Sequence, residues 1–156
     1  MSEQQPVFTI EKIYVKDASI ETPNSPQTFL EPTQPQVEVQ LQTAATRVNE
    51  TLFEAIVTIT VTAKSAERTL FLVETAQAGI FRIAGIPDGD LAPVLGIACP
   101  NILFPYARET LADLIGRAGF PPIHLAPVNF EAMYAARAQA AQGAGGEAGP
   151  RAEIAH

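Results

Sequence analysis

Cys99-Pro-Asn-Ile-Leu-Phe-Pro-Tyr-Ala-Arg-Glu109 is the stretch on which the chain turns. Strand-like sequence precedes it and helix-like sequence follows. Leu103, Ala107, Leu111 and Leu114 recur at steps of four, four and three, which places one apolar stripe along a helix. Pro105 suits only the first turn of that helix, where its missing N–H costs nothing. Either the helix opens there, or it opens near Asn101 and is kinked at Pro105. It ends at Gly116 or Gly119.

Upstream the pattern is β. Val7 to Ser19 is rich in β-branched and aromatic residues, but strict alternation fails between Lys12 and Lys16, which predicts a bent or bulged strand. Glu21 to Pro35 carries Pro23, Pro26, Pro32 and Pro35, so neither a helix nor a central strand is expected. It reads as a long crossover loop with Phe29 and Leu30 at its middle. Those two residues either pin the loop to the core or offer a partner an apolar surface, and the pattern alone favours the first. Gln36 to Arg47 alternates, with Val37, Val39 and Leu41 on one face and Glu38, Gln40 and Gln42 on the other. After a turn at Asn49-Glu50, Leu52 to Ala63 alternates again, with Thr58, Thr60 and Thr62 on its polar side. A fourth strand runs from Glu67 to Ala76 and continues towards Ile83. Short connections among the last three strands favour an antiparallel meander.

Downstream the pattern is helical. Gly85-Ile-Pro-Asp-Gly breaks the strand, and Asp88 is placed to cap a short helix reaching about Ala98. The long helix follows, then a proline-rich connector from Phe120 to Pro127. Asn129 caps a last helix over Phe130 to Gln142, with Phe130, Met133, Tyr134 and Ala138 on one stripe. Gly143 to His156 is rich in Gly and Ala and is expected to be a disordered tail beyond one domain spanning 1–142. Strands first and helices after give an α+β fold, with helices packed on one face of a four-stranded antiparallel sheet. Ile102, Phe104, Leu111, Leu114 and Ile115 are too many apolar residues for one sheet to cover, which points to oligomerisation.

Composition narrows the function. With 156 residues the chain can bury about two-thirds of its unfolded surface. A formal charge of -7 makes nucleic acid a poor partner and a cationic surface a better one. The single cysteine, Cys99, excludes an intrachain disulfide and is compatible with a reducing compartment. The N-terminus lacks the cationic and apolar regions of a signal peptide, and no run of about 18 apolar residues is present, so a cytoplasmic protein with no stable membrane insertion is expected. Cys99 sits between Ala98 and Pro100 with no base beside it, and reads as a small buried residue rather than a nucleophile. Cys99, His124 and His156 are too scattered for a zinc site, the carboxylates form no evident acid–base pair, and no phosphate-binding loop exists. Neither an enzyme nor a cofactor is expected.

Four runs together resemble one family. Cys99 to Glu109 is similar to the signature of the SecB protein-export chaperones, and Ile13-Tyr-Val-Lys-Asp17, Gly79-Ile-Phe-Arg-Ile-Ala-Gly85 and Leu125-Ala-Pro-Val-Asn-Phe130 agree in order and spacing. The resemblance covers roughly Phe8 to Gln142. It implies a long crossover between the first two strands and a tetramer assembled as a dimer of dimers. It also implies ATP-independent binding of unfolded preproteins, held ready for translocation and delivered to the SecA motor ATPase.

Two surfaces follow from the resemblance. Asp17, Glu21, Leu72 and Glu74 match the family's docking patch for the zinc-bearing C-terminal segment of SecA. From the residues alone an ordinary solvated sheet face explains them better. Phe29, Leu30, Val37, Val39, Leu41, Phe130, Met133 and Tyr134 match the groove that holds preproteins, although the residues alone allow plain core. The chain departs from the family at Thr33, where members often carry Trp, and it has no Trp at all. Two other readings stand beside this one: a SecB-like chaperone dedicated to a single client, such as a toxin–antitoxin system, and an enzyme of unknown chemistry.

Overall fold

Alternation over four long segments produces four strands in the computed structural model, which describes residues 5–142. They are β1 Val7–Glu21, β2 Gln36–Arg47, β3 Leu52–Ser65 and β4 Arg68–Ala84, in the order β1-β4-β3-β2, every neighbouring pair antiparallel. The meander of β2, β3 and β4 is as expected. The crossover over residues 22–35 carries the chain from β1, at one edge, to β2, at the other. The β2–β3 turn is closed by Asn49, whose Oδ1 accepts from the amides of Thr51 (3.0 Å) and Leu52 (2.9 Å). The β3–β4 turn places Ala66 at φ 51°, a left-handed position.

The crossover departs from expectation by one turn of helix, α1 Gln27–Leu30. Its prolines bracket this turn instead of interrupting it. Pro26 directly precedes it, where a missing N–H has no cost, and Pro32 lies beyond its end. Asn24 anchors the segment through a 2.9 Å bond from Nδ2 to the Thr69 carbonyl.

A larger departure concerns the helices after β4. The sequence suggested two with a break between them. Instead, α2 Asp88–Pro93, a π turn Val94–Ala98 and α3 Cys99–Arg117 run on as one helix of 30 residues. Pro93, Pro100 and Pro105 each disturb a regular helix. A widened turn, in which the Cys99 amide donates to the Val94 carbonyl, lies where Pro100 would clash with the Gly96 carbonyl and carries the helix past it. Asp88 is also not a cap: Pro87 holds that position, and no side chain caps the helix. Joined in this way, the helix reaches the length and apolarity of a membrane span, and its buried residues, Cys99 to Ile115, all lie in α3. Asn129 does cap α4 Phe130–Gln142, accepting from the Ala132 amide at 2.9 Å.

The core lies between α3 and one face of the sheet. Cys99, Leu103, Ala107, Leu111 and Ile115, each four residues apart, are all 0% exposed. They pack into one cluster with Val57, Ile59, Val61, Val73 and Phe81. Each fully buried large aliphatic contributes about 1.5–3 kcal/mol. Phe104 is buried as well, edge-on to Phe130 at 5.8 Å. The argument for oligomerisation from uncovered α3 residues is therefore corrected. Strands this long, with α4 alongside, bury Phe104, Leu111 and Ile115 within one protomer and half-bury Ile102 and Leu114. The sequence reading of Gly143 to His156 lies outside the described residues.

Candidate functional site

Register decides the first surface. Glu21 pairs with Leu72, Ser19 with Glu74 and Asp17 with Ala76. In β4 the neighbours Phe71, Val73, Thr75 and Gln77 are buried towards the helices, so Leu72, Glu74 and Ala76 look outward from the opposite, open face. Directly paired residues share a face. Asp17, Glu21, Leu72 and Glu74 thus come together as one row across two strands, with Leu72 38% exposed. Thr60 of β3, directly across from Glu74, donates a 2.9 Å hydrogen bond to its Oε1. Ser19, Thr60 and Ala76 complete this row. The alternating threonines hinted at Thr60, but only the pairing register identifies it.

Further along the open face, Glu54 of β3 receives two donors from β1. Lys16 Nζ lies 2.8 Å from Oε1, and the Tyr14 hydroxyl donates to Oε2. The Lys16 and Tyr14 bonds hold the Glu54 carboxyl below its usual range. Burial, then the bond to Glu54, pushes the Tyr14 phenol up to about 12.

The second surface divides in two. Phe29 (49% exposed) and Leu30 (77%) stand out from the crossover. Phe29 stacks on Phe120 at 5.0 Å, and Phe120 on Phe71 at the same separation, so a ladder of three rings ties the loop to the sheet. Phe71 and Phe120 were not singled out from the sequence. Thr33 is exposed. Val39, Leu41 and Phe130 lie in the core, whereas Val37 and Met133 are half-buried against it. Tyr134 is half-buried with its ring against Gly96 of the π turn, and Arg137 of α4 reaches Thr43 of β2 at 3.0 Å.

Two more features bear on binding. Along edge strand β1, Phe8, Ile10 and Val15 are exposed on the helix side, and Tyr106 of α3 is half exposed. Cys99 is fully buried, and burial pushes its thiol up to about 12. Among the described residues no three His, Cys, Asp or Glu side chains gather as a metal-ligand set.

An acidic row thus lies on one side of the sheet, and an aromatic loop with a covering helix lies on the other. The SecB family model, described as preprotein translocase subunit SecB, matches residues 1–141. The protein-export protein SecB of Chromobacterium violaceum is 61% identical over 137 residues, covering 86% of this chain and 91% of that one. Its counterpart from Dechloromonas aromatica is 58% identical over 144 residues, covering 92% and 95%. Among solved structures, a Mycobacterium tuberculosis SecB-like chaperone in complex with an antitoxin peptide superposes with a TM-score of 0.65 at 16% identity, over 78% of this chain and 90% of that one. That likeness is one of fold. The chain belongs to the SecB family of protein-export chaperones, a family of chaperones and not of enzymes.

Proposed function

We propose that this chain, with residues 1–142 as its working domain, holds unfolded preproteins without ATP and delivers them to the SecA motor ATPase. One observation carries the delivery step: the β1–β4 register sets Asp17, Glu21, Leu72 and Glu74 in one outward row. Three carboxylates around an exposed leucine suit a cationic segment with an apolar anchor, such as the zinc-bearing C-terminal segment of SecA. Charge steers the encounter, and binding weakens with salt.

Preproteins are held on the helix side. Phe29 and Leu30, with Val37, Met133 and Tyr134 half-buried and Val39, Leu41 and Phe130 as the floor, offer apolar contact to whatever unfolded segment exposes the same. Each contact is weak. Several such grooves on one cytoplasmic homotetramer, a dimer of dimers, act on one client and multiply the affinity. The exposed apolar side chains of edge strand β1, with Tyr106, support self-association of this kind. Binding only the unfolded client opposes folding by mass action. Retention of the whole acidic row favours this reading over a chaperone dedicated to one client.

Native mass spectrometry tests it, using the purified protein with a slow-folding preprotein diluted from urea and no nucleotide. A tetramer that takes up one unfolded chain and ignores the folded one is expected. A monomer, or a tetramer indifferent to unfolded chains, would overturn the reading.

A further inference from the structure

Val15 and Asp17 are two residues apart, and in a regular strand they would point the same way. Here they do not. Val15 lies across from Gln77, which is buried on the helix side, and Asp17 lies across from Ala76 on the open face. Between them the register shifts by one residue, leaving Lys16 extra. A β-bulge of this kind puts two residues opposite one. Beyond it every β1 side chain is turned over relative to Ile13 and Val15. Asp17, Ser19 and Glu21 face outward, and Ala18 and Ile20 face the helices. Without the bulge the acidic side chains of β1 would point into the core, so the row exists because of Lys16.

The bulge is held from two strands away. Lys16 and Tyr14 both reach Glu54 on β3, although β4 lies between. They cross β4 where it carries alanines. Tyr14 is paired with Ala78, which is 0% exposed although it belongs to the open face, and Ala76 is next along. Small residues there let two long side chains lie flat across the sheet. The Glu54 side chain is only 15% exposed, so its bonds are shielded from competing water. We propose that Tyr14, Lys16 and Glu54 form a clasp that fixes the bulge and so aims Asp17 and Glu21 into the docking row. They are positioning residues for motor docking, and the inference rests on the reading that this row receives the SecA segment.

The sign of one substitution separates positioning from charge. Lys16→Met keeps the aliphatic stem but removes a positive charge beside Asp17. Electrostatics alone makes the row more negative and tightens binding of a cationic segment. Loss of the clasp weakens it. The experiment is isothermal titration of the full chain with a zinc-loaded synthetic peptide of the SecA C-terminal segment. Lys16→Met is expected to bind about threefold or more weakly, Lys16→Arg to restore binding, and Tyr14→Phe, which changes no charge, to weaken it. Uptake of an unfolded preprotein stays at the wild-type level in all three. Lys16→Met binding as tightly as wild type, or more tightly, overturns the proposal. Should Lys16→Met not fold, Tyr14→Phe decides alone, and unchanged affinity there refutes the clasp. Asp17→Asn and Glu74→Gln serve as separate controls. If they bind like wild type the docking row itself is wrong; if they weaken while Lys16→Met does not, only the clasp is wrong.

Discussion

Gly96 offers a test in which two known effects oppose each other. It lies within the π turn, and a Cβ built on it would stand 2.7 Å from Tyr134 Cδ2 and 3.0 Å from Cε2. Exchanging Gly for Ala inside a helix normally gains about 1 kcal/mol. Forcing a methyl group into filled space typically costs about 1–3 kcal/mol. The ring cannot yield easily, because α4 is fixed by the Asn129 cap at one end and by the Arg137–Thr43 bond further along. Gly96→Ala should therefore cost about 0–2 kcal/mol. At roughly 2–4 °C per kcal/mol this lowers the thermal midpoint by up to about 8 °C. With the ring removed by Tyr134→Ala, the same substitution should change sign and gain about 1 kcal/mol. The assay is thermal and urea unfolding of the four proteins of the double-mutant cycle. All are kept at one protein concentration, because the proposed assembly would make the midpoint concentration-dependent. Equal stabilisation by Gly96→Ala in both backgrounds would show no coupling, and the inference that α4 rests on the π turn through Tyr134 would be wrong.

Other outcomes follow from single observations. Gly79 lets α3 approach the sheet, since a Cβ there would lie 2.8 Å from the Phe81 ring and 3.1 Å from Leu103. Gly79→Ala should lose about 1–3 kcal/mol in urea unfolding, and a neutral result would place the helix too close in our description. Cys99, fully buried with its thiol raised to about 12, should resist Ellman's reagent in the native protein and react stoichiometrically in guanidinium; native labelling within minutes contradicts that burial. The Tyr14 phenol is raised to about 12 from 10.0, so its contribution to stability is complete below pH 10 and is lost as pH rises towards 12, where the unfolded chain ionises first. Absorbance at 295 nm should show a late-titrating component that Tyr14→Phe abolishes, and its persistence in that variant would refute the assignment. Saturating a labelled unfolded preprotein complex with the SecA peptide should leave the client's anisotropy unchanged, whereas displacement would mean that the two surfaces overlap.

Much of this was legible in the sequence, for physical reasons that can be named. Alternation in β2 and β3 was plain because each strand has one buried and one solvated face, and a period of two reports that difference directly. The four-residue spacing from Leu103 to Leu111 did the same for α3. Failures came where the signal was local but the answer was not. Pro105 argued for a helix that starts or kinks there and the first helix was expected to stop near Ala98, whereas a π turn at Val94–Ala98 joins the two and α3 runs on through Pro105. Phe130, Val39 and Leu41 read equally well as groove or core, because hydrophobicity says nothing about which side of a packed layer a residue occupies. They proved to be core in this protomer, whereas Phe29 and Leu30, of similar character, stand outside it. Phe120 was passed over because it opens a proline-rich connector, and its stacking partners lie 49 and 91 positions upstream, at Phe71 and Phe29. Failed alternation between Lys12 and Lys16 was read as a bent or bulged strand, and register shifts fall at Ile10/Lys12 and Val15/Asp17; their consequence was not readable, since a bulge has meaning only against the strand it pairs with.

That consequence bears on how an ATP-free chaperone passes on its load. Within β1 the side chains before the Lys16 bulge and those after it answer to different neighbours. Ile13 and Val15 lie on the helix side, where clients are proposed to bind, while Asp17 and Glu21 look out from the reverse of the sheet. A strand of uniform parity could not place an apolar pair and an acidic pair, all at odd-numbered positions, on opposite faces. With the two proposed surfaces back to back, a docked motor segment would not compete for the space a client fills, and fully buried Val57, Ile59, Val61 and Val73 fill the sheet between them. Delivery then requires no release step to begin. In the proposed delivery, the loaded chaperone binds the motor as it stands, and the client leaves through its own weak contacts, one groove at a time, once the motor holds its free end.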